Sequence, residues 1–240
     1  MIGIIANVLC VIVGGLLGAA FGKKIPGEVK TKVNSVFGIC AICMGITSVV
    51  LMKNMPAVIL AMILGTAFGA LVHLGDLIQK GGLSLQKVVS KVVKPDESVN
   101  QDEFNSLLVT TIVLFCSSGS GIYGSLLAGM TGECTILLSK SILDLFTALI
   151  FACTLGYVTA LIAIPQTVIF VALFFLSKLI FPHTTPDMIN DFKACGGFIL
   201  IATGLRICKI KEFSIADMIP AMLLTFPLSH LWQNFVVPLL

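Results

Sequence analysis

Charge is scarce in this sequence. Of 240 residues only 11% are charged, while 57% are apolar. An ordinary soluble domain carries about 25% charged residues, so it cannot hide this much apolar surface without large exposed patches. A bilayer removes that conflict, because lipid solvates the apolar faces. Enzyme signatures are missing as well. There is no H-E-x-x-H for zinc chemistry, no G-x-S-x-G elbow and no phosphate-cradling loop. Cys116-Ser117-Ser118-Gly119 is not a nucleophile elbow, and the neighbours Lys140 and Ser141 point away from each other on a helix. No nucleic-acid motif is present, and the net charge of +3 is modest. The expectation is a protein that is not an enzyme and uses no cofactor or nucleic acid.

Cysteine is plentiful but unorganised. Cys40-x-x-Cys43 has metal-like spacing, yet no second pair and no nearby histidine. The eight cysteines read as small packing residues, most of them inside or beside apolar runs.

The apolar runs are long enough to cross a membrane, which takes about 20 residues. Expected spans are Ile2–Phe21, Val33–Leu51, Ala57–Ile78, Phe104–Met130, Thr135–Leu161, Pro165–Phe181, Phe192–Cys208 and Ile215–Val237. The opening run lacks a basic head and a cleavage site, so it reads as a retained helix. The only long polar stretch is 79–103, whose middle, Leu83–Val93, suits a surface amphipathic helix. The fourth span is interrupted by Ser117-Ser118-Gly119-Ser120-Gly121, which suggests a broken helix. The fold class is therefore all-α: a polytopic integral membrane helix bundle of about eight spans.

Basic residues set the expected orientation. With the N-terminus outside, eleven of the fifteen fall in three cytoplasmic loops and the adjoining helix ends: Lys23, Lys24, Lys30 and Lys32; Lys80, Lys87, Lys91 and Lys94; Arg206, Lys209 and Lys211. Both termini then lie outside. A weak internal repeat pairs Gly38-x6-Gly45 and Pro56-Ala57 with Gly197-x6-Gly204 and Pro220-Ala221. In this topology the two copies are inverted, a pattern shared by many secondary transporters; Gly-rich membrane helices also resemble one another by composition alone. The chain divides accordingly into a three-helix repeat (1–78), a cytoplasmic polar loop (79–103), a central broken helix with a charged helix (104–163) and a second three-helix repeat (164–240).

An ionisable group inside a span is a functional hypothesis. Lys140 and Asp144, spaced i,i+4 with Ser141 between them, share one helix face near the outer end of the fifth span. They form either a binding pair or a structural ion pair. The Ser117–Gly121 interruption offers hydroxyl, carbonyl and N–H groups to a solute or ion, or else lets helices pack closely through small residues. Asn7 and Asn34 would line a polar path or bond across helices, with Tyr123 and Gln166 as secondary candidates. His73, Asp76, Arg206 and Asp217 read as interfacial. The stripe Gly14-x3-Gly18-x3-Gly22 permits close contact within the chain or in a homo-oligomer.

These residues resemble the YqgA/YdfK-like family of bacterial membrane proteins, the domain of unknown function 554. The resemblance covers nearly the whole chain. It rests on Gly3-x3-Asn7, Gly14-Gly15-Leu16-Leu17-Gly18, Ile122-x-Gly124-Ser125, Lys140-Ser141-x-x-Asp144, Gly196-Gly197 and Pro220-Ala221. Ser118-Gly119-Ser120, Ala70, Ala128, Phe170 and Arg206 depart from the family's pattern. The resemblance implies a multi-pass protein of the bacterial inner membrane and supplies no activity. Together the readings point to a secondary transporter or permease of a small polar solute or ion, whose other partner is membrane lipid. The rival is a non-transporting scaffold that works through segment 79–103.

Overall fold

The structure, a computed structural model, describes residues 1–21, 26–92, 101–116 and 118–239. Those residues form helices and turns. In chain order the helices are α1 (Ile2–Phe21), α2 (Gly27–Val49), α3 (Met55–Leu71), α4 (Leu74–Val92), α5 (Gln101–Cys116) and α6 (Gly119–Thr131). They continue as α7 (Thr135–Leu155), α8 (Val158–Leu161), α9 (Ala163–Ile180), α10 (Pro186–Ile207) and α11 (Ile215–Leu231).

Several of these helices are arranged opposite to a soluble helix. On α1 the buried residues are Gly3, Ile4, Asn7, Val11, Gly14, Gly15 and Gly18. Its exposed residues are large aliphatics: Ile2, Ile5, Leu9, Val13, Leu16 and Leu17. On α3, Ala57, Ala61, Gly65 and Gly69 are buried, and Ile59, Leu60, Ile63, Leu64 and Phe68 are exposed. Small residues inside and bulky apolar residues outside suit a lipid solvent, in which helices associate by close packing rather than by hiding grease.

Six helical stretches are long and apolar enough to cross a membrane: Ile2–Phe21, Leu107–Thr131, Thr135–Leu155, Val158–His183, Pro186–Ile207 and Ile215–Leu239. The bent pair Met55–Leu71 and Leu74–Ser84 would make a seventh, and the apolar part of α2, Ser35–Val49, is shorter. The chain is thus an all-α polytopic membrane bundle.

Contacts divide it into two units. The first comprises Met1–Asn34 and Leu77–Ser177, the second Ser35–Asp76 and Lys178–Leu240. This interleaving differs from a division by consecutive segments, because each unit draws on both halves of the sequence.

In the first unit α1 and α7 lie side by side and parallel. Gly3 meets Leu137, Gly14 meets the backbone of Leu145, and Gly18 meets the backbone of Leu149 and the Ala152 side chain. Two residues of the Gly14/Gly18/Gly22 stripe are therefore spent inside the chain; Gly22 lies outside the described residues. A core of Val11, Leu108, Ile112, Phe115, Ala148, Leu155 and Ile162 packs alongside. A second core joins Ile4, Ala128, Leu137, Phe170 and Phe174.

In the second unit α2 and α10 touch backbone to backbone. A Cβ on Gly45 would lie 2.6 Å from the Gly197 carbonyl oxygen, and one on Gly197 would lie 2.6 Å from that of Gly45. Gly38 and Gly204 face each other in the same reciprocal way, at 2.8 and 2.5 Å. The pairing 38 with 204 and 45 with 197 makes these segments antiparallel. Gly65 on Ala221 and Gly69 on Asp217 do the same for α3 and α11. Phe192 and Phe226 stack with ring centroids 5.0 Å apart.

Helix boundaries moved where turn chemistry overrode apolar length. The fifth span was expected to reach Leu161 but stops at Leu155, because Gly156 takes φ 67°. The seventh was expected from Phe192 but starts at Pro186. Thr185 caps it, its hydroxyl accepting from the Met188 N–H at 3.2 Å, with Pro186 in the first turn. The third was expected to run to Ile78 but ends at Leu71, and His73 sits at φ 51° before α4 begins. Segment Leu83–Val92 is helical within the strongly amphipathic α4, and Val93 lies outside the described residues.

Candidate functional site

The i,i+4 spacing on α7 brings Lys140 and Asp144 into direct contact. Lys140 Nζ lies 2.8 Å from Asp144 Oδ1 and 2.7 Å from Oδ2, with side-chain exposures of 4% and 9%. Expectation placed this pair near the outer end of its span. Because α7 ends at Leu155, Asp144 instead sits next to the helix midpoint. At 1.5 Å per residue it is about 14 Å along a helix that crosses roughly 30 Å of hydrocarbon.

Two amides from other helices complete the cluster. Asn7 on α1 donates from Nδ2 to Asp144 Oδ2 at 2.8 Å. Gln166 in the first turn of α9 donates from Nε2 to Asn7 Oδ1 at 2.9 Å, and lies 3.4 Å from Asp144 Oδ2. Asn7 and Gln166 are wholly enclosed. The carboxylate is thus held from three sides: by an ammonium on its own helix and by carboxamides on α1 and α9. This geometry matches what a charge needs in low dielectric, namely an opposite charge plus hydrogen bonds to its remaining lone pairs. Burial of one positive and one negative group leaves the cluster net neutral.

The cluster is not fully satisfied. Gln166 Oε1 is buried with no hydrogen-bond partner, and so are Ser125 Oγ and Thr159 Oγ1. All three belong to the first unit; among the described residues the second unit has no such atom. A cavity of about 250 Å³ opens between α1, α8 and α9. Its lining includes Val8 and Ala163, which lie close in sequence to Asn7 and Gln166, and it is almost entirely apolar.

The other sequence candidates separate from this cluster. Ser141 is buried, but its hydroxyl donates to the Leu137 carbonyl at 2.7 Å. The interruption is real between Cys116 and Gly119, with Ser118 extended at φ −68° and ψ 138°. Ser118 accepts from the Gly121 N–H at 3.2 Å and so acts as the N-cap of α6. Phe170 fills the space over Gly121, where an added Cβ would run into its ring. Gly119 is buried beside it and Ser120 half-buried. Ser117 lies outside the described residues. Asn34 lies on α2, with its side chain outside the described set. Tyr123 is buried on α6. No three His, Cys, Asp or Glu side chains converge as a metal site among the described residues.

One buried carboxylate escaped sequence reasoning. Asp191 on α10 is wholly enclosed in the second unit. Its Oδ1 accepts the backbone N–H groups of Lys53 and Asn54, both at 2.8 Å. Its Oδ2 accepts Asn54 Nδ2 at 2.7 Å and the Ser229 hydroxyl at 2.6 Å. Asn54 makes no side-chain cap of its own for α3; the cap is supplied across the fold by Asp191, at the positive end of that helix. Thr185-Pro186-Asp187 was the available signal. It starts α10 early enough to place Asp191 inside the helix.

Fold and cluster together define a polytopic α-helical membrane protein with an amide-supported ion pair buried near the middle of one span. The chain matches the family model described as "Protein of unknown function (DUF554)" over residues 2–230 and belongs to that family. It is 42% identical over 233 residues to "Uncharacterized protein YqgA" of Escherichia coli (strain K12), covering 97% of each chain. It is 27% identical over 224 residues to "Uncharacterized membrane protein YdfK" of Bacillus subtilis (strain 168), covering 93% of each. No solved structure matches it.

Proposed function

We propose that the protein is a secondary permease for a small polar solute or ion, crossing the bacterial cell membrane several times with both termini outside. The observation that carries this reading is the Lys140–Asp144 pair beside the unpartnered Gln166 Oε1. A purely structural pair gains little over apolar packing of the same volume. An acceptor left open beside it costs stability and is worth keeping where something else is to be bound. Among the described residues, all three such open polar atoms lie in the unit that holds the pair. The reciprocal contacts of Gly38 with Gly204 and Gly45 with Gly197 favour reading the two Gly-x6-Gly segments as inverted copies.

Uptake into proteoliposomes containing wild type, Asp144→Asn and Lys140→Ala tests the reading. Both variants should lose most of the flux. Undiminished flux in both removes the pair from any transport mechanism.

The strong amphipathicity of α4 favours a second reading, a scaffold that docks a partner through this helix. Deleting 79–103 separates the two: a permease keeps its flux, whereas a scaffold loses its partner.

A further inference from the structure

Any solute that uses the buried pair must part it, because Lys140 Nζ already touches both Asp144 oxygens. Resting on the permease reading, we propose that the solute is a small zwitterion of amino-acid type, with its ammonium taken by Asp144 and its carboxylate by Lys140. The argument is one of charge partners in a low-dielectric site. A lone cation would satisfy Asp144 and strand the lysine. A lone anion would do the reverse, and a neutral solute would strand both. Only a solute carrying both charges gives each buried group an opposite partner while adding no net charge to the membrane interior.

The surrounding hydrogen bonds fit that exchange. Asp144 stays in place when the lysine leaves, because Asn7 Nδ2 holds Oδ2 at 2.8 Å and Gln166 Nε2 lies 3.4 Å away. Lys140 has no hydrogen-bond partner other than Asp144 among the described residues, so its four-carbon stem is the part free to swing. An ammonium brings three N–H donors. Asp144 takes some of them, and Gln166 Oε1, buried and open on the amide whose Nε2 faces the carboxylate, is an acceptor that a side-chain rotation could offer to another. The Gln166 amide cannot turn over to hide that oxygen. Reversed, its carbonyl would face Asn7 Oδ1 and the carboxylate, with acceptor against acceptor. Lys140 and Asp144 are four residues apart, about 6 Å along α7, which favours a short spacer between the solute's charges, as in an α-amino acid.

The test is counterflow in proteoliposomes containing the full-length protein, with labelled glycine, L-alanine and L-serine as probes. Glycinamide supplies the ammonium alone, acetate the carboxylate alone, and sodium, potassium and glycerol complete the panel. The expected result is exchange of at least one amino acid, with neither glycinamide nor acetate moved or able to compete. The double variant Lys140→Met/Asp144→Leu, which removes both charges together, should fold and lower the initial rate about tenfold or more. Equal movement of, or competition by, glycinamide or acetate overturns the zwitterion while leaving a permease. Movement of sodium, potassium or glycerol without the amino acids does the same. Undiminished amino-acid exchange in the folded double variant overturns the site. No movement of any probe removes the permease reading and this inference with it. The competition arms need only wild type, so the outcome does not depend on how the variant folds.

Discussion

Asp191 offers a quantitative check on how the second unit is held. Its two oxygens receive four donors, two from the backbone ahead of α3 and one each from Asn54 and Ser229. Asp191→Leu would strand all four in a dry site. Each buried unsatisfied donor costs about 1–3 kcal/mol, so the variant should lose at least about 4 kcal/mol, even allowing for partial relaxation. Asp191→Asn keeps Oδ1 for the two backbone groups but turns an NH2 toward Asn54 Nδ2, donor against donor. That loss should be about 1–3 kcal/mol. Asn54→Asp creates the opposite fault, two carboxylates in contact. The double exchange Asp191→Asn/Asn54→Asp restores one carboxylate facing one amide, and should recover about 1–3 kcal/mol relative to the sum of the single changes. Reversible unfolding in mixed dodecylmaltoside and SDS micelles measures these differences. Helicity serves as one probe, and the lone Trp232, within the second unit, as the other. The capping argument fails if Asp191→Leu unfolds at the wild-type midpoint. It also fails if the double exchange is merely additive.

Three further outcomes follow from contacts already described. Lys140→Ala leaves Asp144 buried without its counter-charge and should cost about 3–5 kcal/mol, whereas Lys140→Met/Asp144→Leu removes both charges and strands only the Asn7 Nδ2 donor, so it should cost less, about 1–3 kcal/mol; the same micellar titration reads both, and equal losses would show that the two charges are not coupled. Gly45→Ala or Gly197→Ala places a methyl 2.6 Å from the opposing carbonyl oxygen, which should cost about 1–3 kcal/mol; by contrast Gly27→Ala, with nothing within 4 Å, should lose no stability. Gly132 closes α6 at φ 79° with open space around it, so Gly132→Ala should cost about 1 kcal/mol through backbone conformation alone; a larger loss would mean that the position is packed.

Legibility in the sequence followed the range of the interaction. Lys140 and Asp144 are four apart, so their contact follows from helix geometry once the segment is known to be helical. Asn7 and Gln166 were visible as polar residues in apolar runs, but nothing local says that they meet one carboxylate, since Asn7 and Asp144 are 137 positions apart. The serine–glycine interruption was legible as a break. That Ser118 would spend itself on the cap and Phe170 would fill the gap over Gly121 depends on α9, whose register against α6 is a tertiary matter. The Gly-x6-Gly repeat was visible twice. Its mutual packing was not, because spacing along a helix does not state which neighbour it faces.

Composition and run length by themselves determined that the chain is an all-α protein of the membrane, because about 20 apolar residues without charge have no other stable environment. Helical periodicity likewise determined that a lysine and an aspartate would share a face inside a span. Tertiary structure alone decided how deep that pair lies, which amides hold it, which acceptor stays open and that Asp191 caps a distant helix. Those outcomes depend on where each helix starts and stops and on which backbones glycine allows to touch. Hydrocarbon rewards close packing without specifying partners, so the partners emerge only when the helices are assembled.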